Sequence, residues 1–207
     1  MPPRRAPRPR GNAVDVAPTL LGRVLARRLD DGTVFRAKLV EVEAYEPDDP
    51  ASHSFRGPTA RNAAMFGPPG HLYVYLIYGM HHCMNVTTGP RGRGSAVLLR
   101  AAEPIAGLDA MRRLRPAASD RDLCRGPGRL AKAFGVDRAL DGLDLLADGR
   151  LWLEAGTPLS QDRIATGPRV GVRHGTALPW RYWERDSPYV SAPPSGSSPR
   201  GESRPSG

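Results

Sequence analysis

The chain has 207 residues, and its 30 lysines and arginines against 21 acidic residues give a net charge of +9. That length suits one well-buried core in a single domain, and the charge points to a polyanionic partner. No apolar run approaches the length that crosses a bilayer, no secretory signal is evident at the N-terminus, and 2 cysteines cannot build a disulfide scaffold, so a soluble cytoplasmic protein with reduced thiols is expected.

Residues 1–12 are rich in proline and arginine with almost nothing to bury, and read as a disordered basic arm. Residues 191–207 are serine, proline and glycine with scattered charges, and read as a disordered tail. The folded domain is expected between them, over residues 13–190. Lys38 and Lys132 are the only lysines, so the positive charge is nearly all arginine, a skew that phosphate recognition and coding bias both produce.

Leu20, Leu21, Val24 and Leu25 form a short apolar segment, and Asp30-Asp31-Gly32 is a turn signal. A long strand pattern then runs from Val34 to Tyr45, placing Glu41, Glu43 and Tyr45 on one face, opposite Val40, Val42 and Ala44. The residues alone leave two readings: a solvated outer face, or two carboxylates and an aromatic facing a site. The stretch from Glu46 to Pro69, carrying His53, Arg56, Arg61 and Asn62, is long for a structureless loop and points to function.

Residues 72–85 alternate β-branched and aromatic residues and break at Gly79, the pattern of two strands meeting at a bend. Tyr73, Tyr75 and Ile77 share one face while Val74, Leu76 and Tyr78 share the other, so the three tyrosines divide between faces. They are either ordinary sheet aromatics, or a pocket wall with Tyr78 projecting as a wedge beside the turn. Ala96–Ala101 reads as a buried strand, and Glu103-Pro104 as the start of a helix with Ile105, Leu108, Met111 and Leu114 on its apolar stripe. Gly126-Pro127-Gly128 precedes a short helix ending at Gly135, and Leu151–Glu154 and Arg169–Val172 read as further strands. A metal at His81-His82-Cys83 is disfavoured, because neighbouring strand residues face opposite ways and one site takes at most His81 and Cys83.

Taken together, Glu41–Tyr45, Ala51–Ser54, Arg61–Phe66, Gly70–Asn85, Val97–Ala101 and Arg169–Val172 resemble, in order and at matching separations, the alkyladenine (3-methyladenine) DNA glycosylase family. The resemblance implies a single mixed α+β domain with a curved, largely antiparallel β-sheet and surrounding helices. It also implies a monofunctional base-excision-repair enzyme that acts on double-stranded DNA as a monomer. Such an enzyme flips alkylated or deaminated purines out of the duplex and hydrolyses their N-glycosidic bond, with no metal and no organic cofactor.

By the same resemblance, Glu43 matches the catalytic base, and Arg100 and the backbone carbonyl of Val170 match positions that hold the attacking water. Tyr45, His53 and Tyr75 match the base-pocket walls, and Asn85 matches a selectivity position at the pocket bottom. Tyr78, with Met80 beside it, matches the wedge that enters the vacated stack. Strand geometry alone does not choose between Glu41 and Glu43. The competing readings are an enzyme of the same fold acting on another flipped base, and a non-catalytic lesion- or nucleic-acid-binding protein.

Overall fold

The computed structural model describes residues 4–191. It contains helices α1 (Ala13–Leu20), α2 (Leu108–Leu114) and α3 (Pro127–Ala133) and eight strands: β1 (Val24–Arg28), β2 (Val34–Tyr45), β3 (Leu72–Ile77), β4 (His81–Thr87), β5 (Ala96–Ala106), β6 (Leu151–Glu154), β7 (Ile164–Gly167) and β8 (Arg181–Glu184). The strands form one antiparallel sheet ordered β3-β4-β5-β2-β1-β6, and β8 joins β2 and β7 off that path. This is the mixed α+β domain with a curved antiparallel sheet that the sequence led us to expect.

The strand β2 is the spine. It pairs with β1 in its first half, with β8 over Glu41–Glu43, and with β5 along its other edge, where the register shifts around Leu39, Glu41 and Val42. Bulges bend a strand and increase its twist, and here they let the sheet curl around what its inner face carries. Residues from Leu39 through Ala44 are fully buried on both faces. One face packs Val42, Ala44, Val74, Met84, Val86, Val97 and Leu99 into the main core with residues of α1 and α3, where Phe35 meets Phe134 edge-on at 5.4 Å. The opposite face carries a smaller cluster of Met65, Tyr73 and Ala96 with Tyr45 and Tyr75 packed against it.

The edge strand β3 is finished by side chains instead of another strand. Arg138 donates to the Val74 carbonyl, Arg61 to the Leu76 carbonyl at 2.9 Å, and Asp141 accepts from the Val74 N–H at 2.8 Å. Charged side chains on exposed backbone groups are a recognised protection for a free sheet edge.

Three expectations differ from the structure. Residues 4–12 are not a free arm: Ala6 is buried and its N–H donates to the Leu153 carbonyl at 3.0 Å, while Arg8 pairs with Asp144 at 2.9 Å. Their partners lie far along the chain, so local composition does not reveal them. Residues 1–3 and 192–207 lie outside the described residues, and Ser191, the first residue of the expected tail, is buried. Second, Glu103, Pro104 and Ile105 continue β5, and α2 begins only at Leu108. The break falls at Gly107, whose φ of +74° and contact with Phe35 leave no room for a Cβ. Third, Arg169–Val172 is irregular chain after β7, not a strand.

One buried carboxylate fastens these parts together. Glu41, with no exposed surface, accepts from Arg100 Nε at 3.0 Å, Arg181 Nε at 2.7 Å, the Ser191 N–H at 2.6 Å and the Ser191 hydroxyl at 2.9 Å. It therefore joins β2, β5, β8 and the chain's return at Ser191. Removing one member of a buried charge network leaves the others desolvated and uncompensated. Glu41→Gln is expected to lower unfolding stability by about 3 kcal/mol or more, read as a shift of the urea midpoint. An unchanged midpoint would show that Arg100 and Arg181 are satisfied without it.

Candidate active site

Alternation places one residue of every second pair on the inner face, and the ladder register aligns them across strands. Tyr73 on β3 faces Asn85 on β4, Asn85 faces Leu98 on β5, Leu98 faces Glu43 on β2, and Glu43 faces Arg181 on β8. A single row thus runs across five strands, with Tyr45, Tyr75, Cys83 and Arg100 in the neighbouring rows. Over it lies a cleft of about 440 Å³ lined by Tyr45, His53, Tyr75, Asn85, Arg100, Val170 and neighbours. Tyr78 stands at its rim.

Glu43 is fully buried and differs from Glu41 in its surroundings. One carboxylate oxygen accepts the Val170 N–H at 2.7 Å; the other accepts the Tyr45 hydroxyl at 2.9 Å and lies 3.2 Å from the Arg100 guanidinium. Val170 can donate because its stretch is not a strand and its N–H is free of any ladder. Val170 thus meets Glu43 through its N–H, while the resemblance assigns its carbonyl to the attacking water. Arg100 bridges Glu41 and Glu43. Burial opposes its cationic form, but Glu43 and Glu41 outweigh burial and hold its pKa above the ordinary guanidinium value.

The cleft walls are aromatic. Tyr73 and Tyr75 stack with ring centroids 5.7 Å apart, and His53 meets Tyr75 edge-on at 4.4 Å. His53 Nδ1 lies 2.9 Å from the Tyr73 hydroxyl. Its imidazole, though reached by solvent on one side, has its pKa lowered by burial and secondarily by the Arg61 cation. Burial pushes the Tyr73 phenol up to about 12. Burial also raises the Tyr45 and Tyr75 phenols, with Glu43 adding to both, so all three keep their protons at neutral pH.

Asn85 is buried at the cleft floor, where its Nδ2 donates to the Tyr73 carbonyl at 3.2 Å, leaving its Oδ1 uncommitted. The structure therefore brings Glu43, Arg100, Val170, Tyr45, His53, Tyr75 and Asn85 together.

Tyr78 and Met80 do not join them inside; they project from the β3–β4 turn, 84% and 69% exposed. Tyr78 has φ +52° and Gly79 φ +69°, the two positive values that a type I′ hairpin turn demands. A bulky residue in that region is strained by about 1–3 kcal/mol, and an aromatic ring exposed there contributes nothing to the core.

Sequence reasoning missed Asp49, Leu98 and Cys83. Leu98 and Cys83 line the cleft but read as ordinary strand interior. Burial pushes the Cys83 thiol up to about 11, so it stays protonated, which is a poor state for a metal ligand. No group of three metal-ligating side chains occurs among the described residues, and no described helix is long and apolar enough to cross a membrane.

Residues 9–188 match the family model for methylpurine-DNA glycosylase. A protein of Streptomyces avermitilis is 55% identical over 183 residues, 86% of this chain and 85% of the relative. A protein of Burkholderia lata is 52% identical over 185 residues, 87% of each chain. One of Carboxydothermus hydrogenoformans is 44% identical over 176 residues, 85% of this chain and 92% of its own. All three bear the name "Putative 3-methyladenine DNA glycosylase". A match over nearly the whole folded part, together with a buried carboxylate at the base of an aromatic cleft, establishes that the chain belongs to the methylpurine-DNA glycosylase family and is a monofunctional DNA glycosylase.

Proposed function

We propose that the protein excises alkylated or deaminated purines, 3-methyladenine, 7-methylguanine, hypoxanthine and ethenoadenine, from double-stranded DNA, using water activated by Glu43. The observation that carries this reading is the contrast between the two buried carboxylates. Glu41 is enclosed by four donated hydrogen bonds, from Arg100, Arg181 and twice from Ser191, whereas Glu43 sits below the cleft with one oxygen held by Val170 and the other by Tyr45 and Arg100.

Cleaving a sugar–base bond develops positive charge on the sugar, and one oriented carboxylate can both take the proton from water and stabilise that charge. In this reading Arg100, anchored on Glu41, and the carbonyl of Val170 hold the water. Water is favoured over an amine nucleophile because neither lysine lines the cleft: Lys38 pairs with Glu103 and Glu184, and Lys132 lies on α3. No cofactor or metal enters the step.

Extruding a base costs a few kcal/mol, least for a damaged or mispaired one. Stacking on an aromatic wall returns about 1–3 kcal/mol, and the positive charge of ring-alkylated purines adds attraction to the faces of Tyr45 and Tyr75. Tyr78, with Met80, fills the gap in the stack, which gives the strained and exposed turn its purpose. At the pocket floor Asn85 obstructs the exocyclic amino group of normal guanine and admits hypoxanthine, which lacks it. A single asymmetric lesion requires one pocket, so the active form is a monomer.

Excision of hypoxanthine from a labelled duplex, followed by alkaline strand scission, tests the chemistry. Glu43→Gln is expected to lose on the order of 10²–10⁴ in rate with lesion binding intact; rapid turnover by that variant would exclude Glu43 as the base. Lesion binding without release of any damaged purine by the wild type would favour the non-catalytic reading. With a fluorescent base analogue, Tyr78→Ala is expected to reduce the flipped fraction, and unchanged flipping would remove the wedge from the scheme. Asn85→Ser is expected to raise release of guanine-type bases; no increase would show that selectivity lies elsewhere.

A further inference from the structure

Arg169 and Asp49 form an ion pair with no solvent-exposed side-chain surface, its guanidinium over the ring of Tyr45. Arg169 NH2 donates to Asp49 Oδ1 at 3.1 Å, and NH1 donates to the other Asp49 oxygen and, at 3.0 Å, to the Ala44 carbonyl. The guanidinium carbon lies 4.6 Å from the Tyr45 ring centroid and 5.1 Å from that of Trp180. Its Nε is buried with no partner. A fully desolvated ion pair with an orphaned donor adds little stability compared with apolar packing, so the placement calls for another account.

That account lies in what Arg169 touches. It holds the ring of Tyr45, whose hydroxyl donates to one oxygen of Glu43. It is also joined by a peptide bond to Val170, whose N–H donates to the other oxygen. Through Ala44 it grips β2 between Glu43 and Tyr45. Both hydrogen bonds to the Glu43 carboxylate therefore trace back to one residue, through its side chain to Tyr45 and through its backbone to Val170, and Asp49 fixes that residue from the Glu46–Pro69 loop; the Arg100 contact to Glu43 is separate.

We propose that the Asp49–Arg169 pair is a positioning device for the reaction, orienting Glu43 through Tyr45 and Val170 without touching substrate. The inference rests on the reading of Glu43 as the base. Misplacement of a reacting group by about 1 Å can cost about 10²-fold in rate.

Two measurements on the full chain test it. The first, amide hydrogen exchange by NMR on the free protein, needs no activity. In Arg169→Met and Asp49→Asn, protection of the Val170 amide is expected to fall at least about 10-fold while the amides of β2 and β5 keep theirs. The second is single-turnover excision of hypoxanthine. The rate is expected to fall about 10–100-fold with little change in the DNA concentration at half-saturation, and Arg169→Lys, which keeps the charge but not the planar fork, should be intermediate.

Wild-type protection at Val170 and wild-type turnover in the folded variants would overturn the proposal. So would equal loss of protection throughout the sheet, which marks a purely structural pair. Should Arg169→Met not fold, Asp49→Asn and Arg169→Lys carry the comparison. If the wild type excises nothing, the catalytic reading fails by itself and the exchange data still decide the positioning claim.

Discussion

Arg100 stands between two fully buried carboxylates, and the site is built around that sharing. Two carboxylates on one strand, two residues apart and out of water, would repel each other and lose their hydration; a guanidinium with its planar fork of donors offsets both costs at once. The division of labour follows from what else each carboxylate meets. Glu41 is saturated by Arg181 and Ser191 and serves as the anchor, while Glu43 lies directly beneath the cleft-lining Tyr45, Arg100 and Val170. Arg100 is thus fixed by the anchor and presented to the site with its charge assured.

The bulges in β2 give this arrangement its geometry. A regular strand would set its alternate residues on a nearly flat face, whereas the register shifts around Leu39–Val42 twist the strand where β8 attaches and bring Glu41 into contact with the chain's return at Ser191. The same curvature closes the row from Tyr73 to Glu43 into the wall of a cleft. Aromatic rings supply the wall, and burial keeps their phenols protonated, so the cleft presents stacking surfaces and hydrogen-bond donors.

The positive charge proves to be more than an attraction for phosphates. Arg61 and Arg138 finish the edge of β3, Arg8 ties the N-terminal segment to Asp144, Arg169 braces the cleft, and Arg100 and Arg181 neutralise Glu41. Guanidinium suits these tasks because its donors reach several backbone and carboxylate acceptors simultaneously. The pairs with carboxylates are already subtracted in the net charge of +9, which is the cationic excess left after these structural ion pairs.

Local sequence determined the strands β2 to β5 and the turn at Gly79, because period-two alternation of apolar residues and a glycine at a bend are written into neighbouring positions. Together with long motifs in matching order, it also led to the family and to the set of residues that meet in the cleft. Strand geometry alone did not choose between Glu41 and Glu43, which share a strand face, and the choice of Glu43 came from the resemblance; the different surroundings of the two come from the partners arriving from β5, β8, Ser191 and Val170. Local sequence misread residues 4–12 and 103–106 for related reasons: segments without a local pattern took their structure from chain brought close only by folding, and β5 continued past a helix-like signal because β2 offered pairing up to the turn at Gly107. Periodicity along a chain is a local property; the partners of a charge are a property of the whole fold.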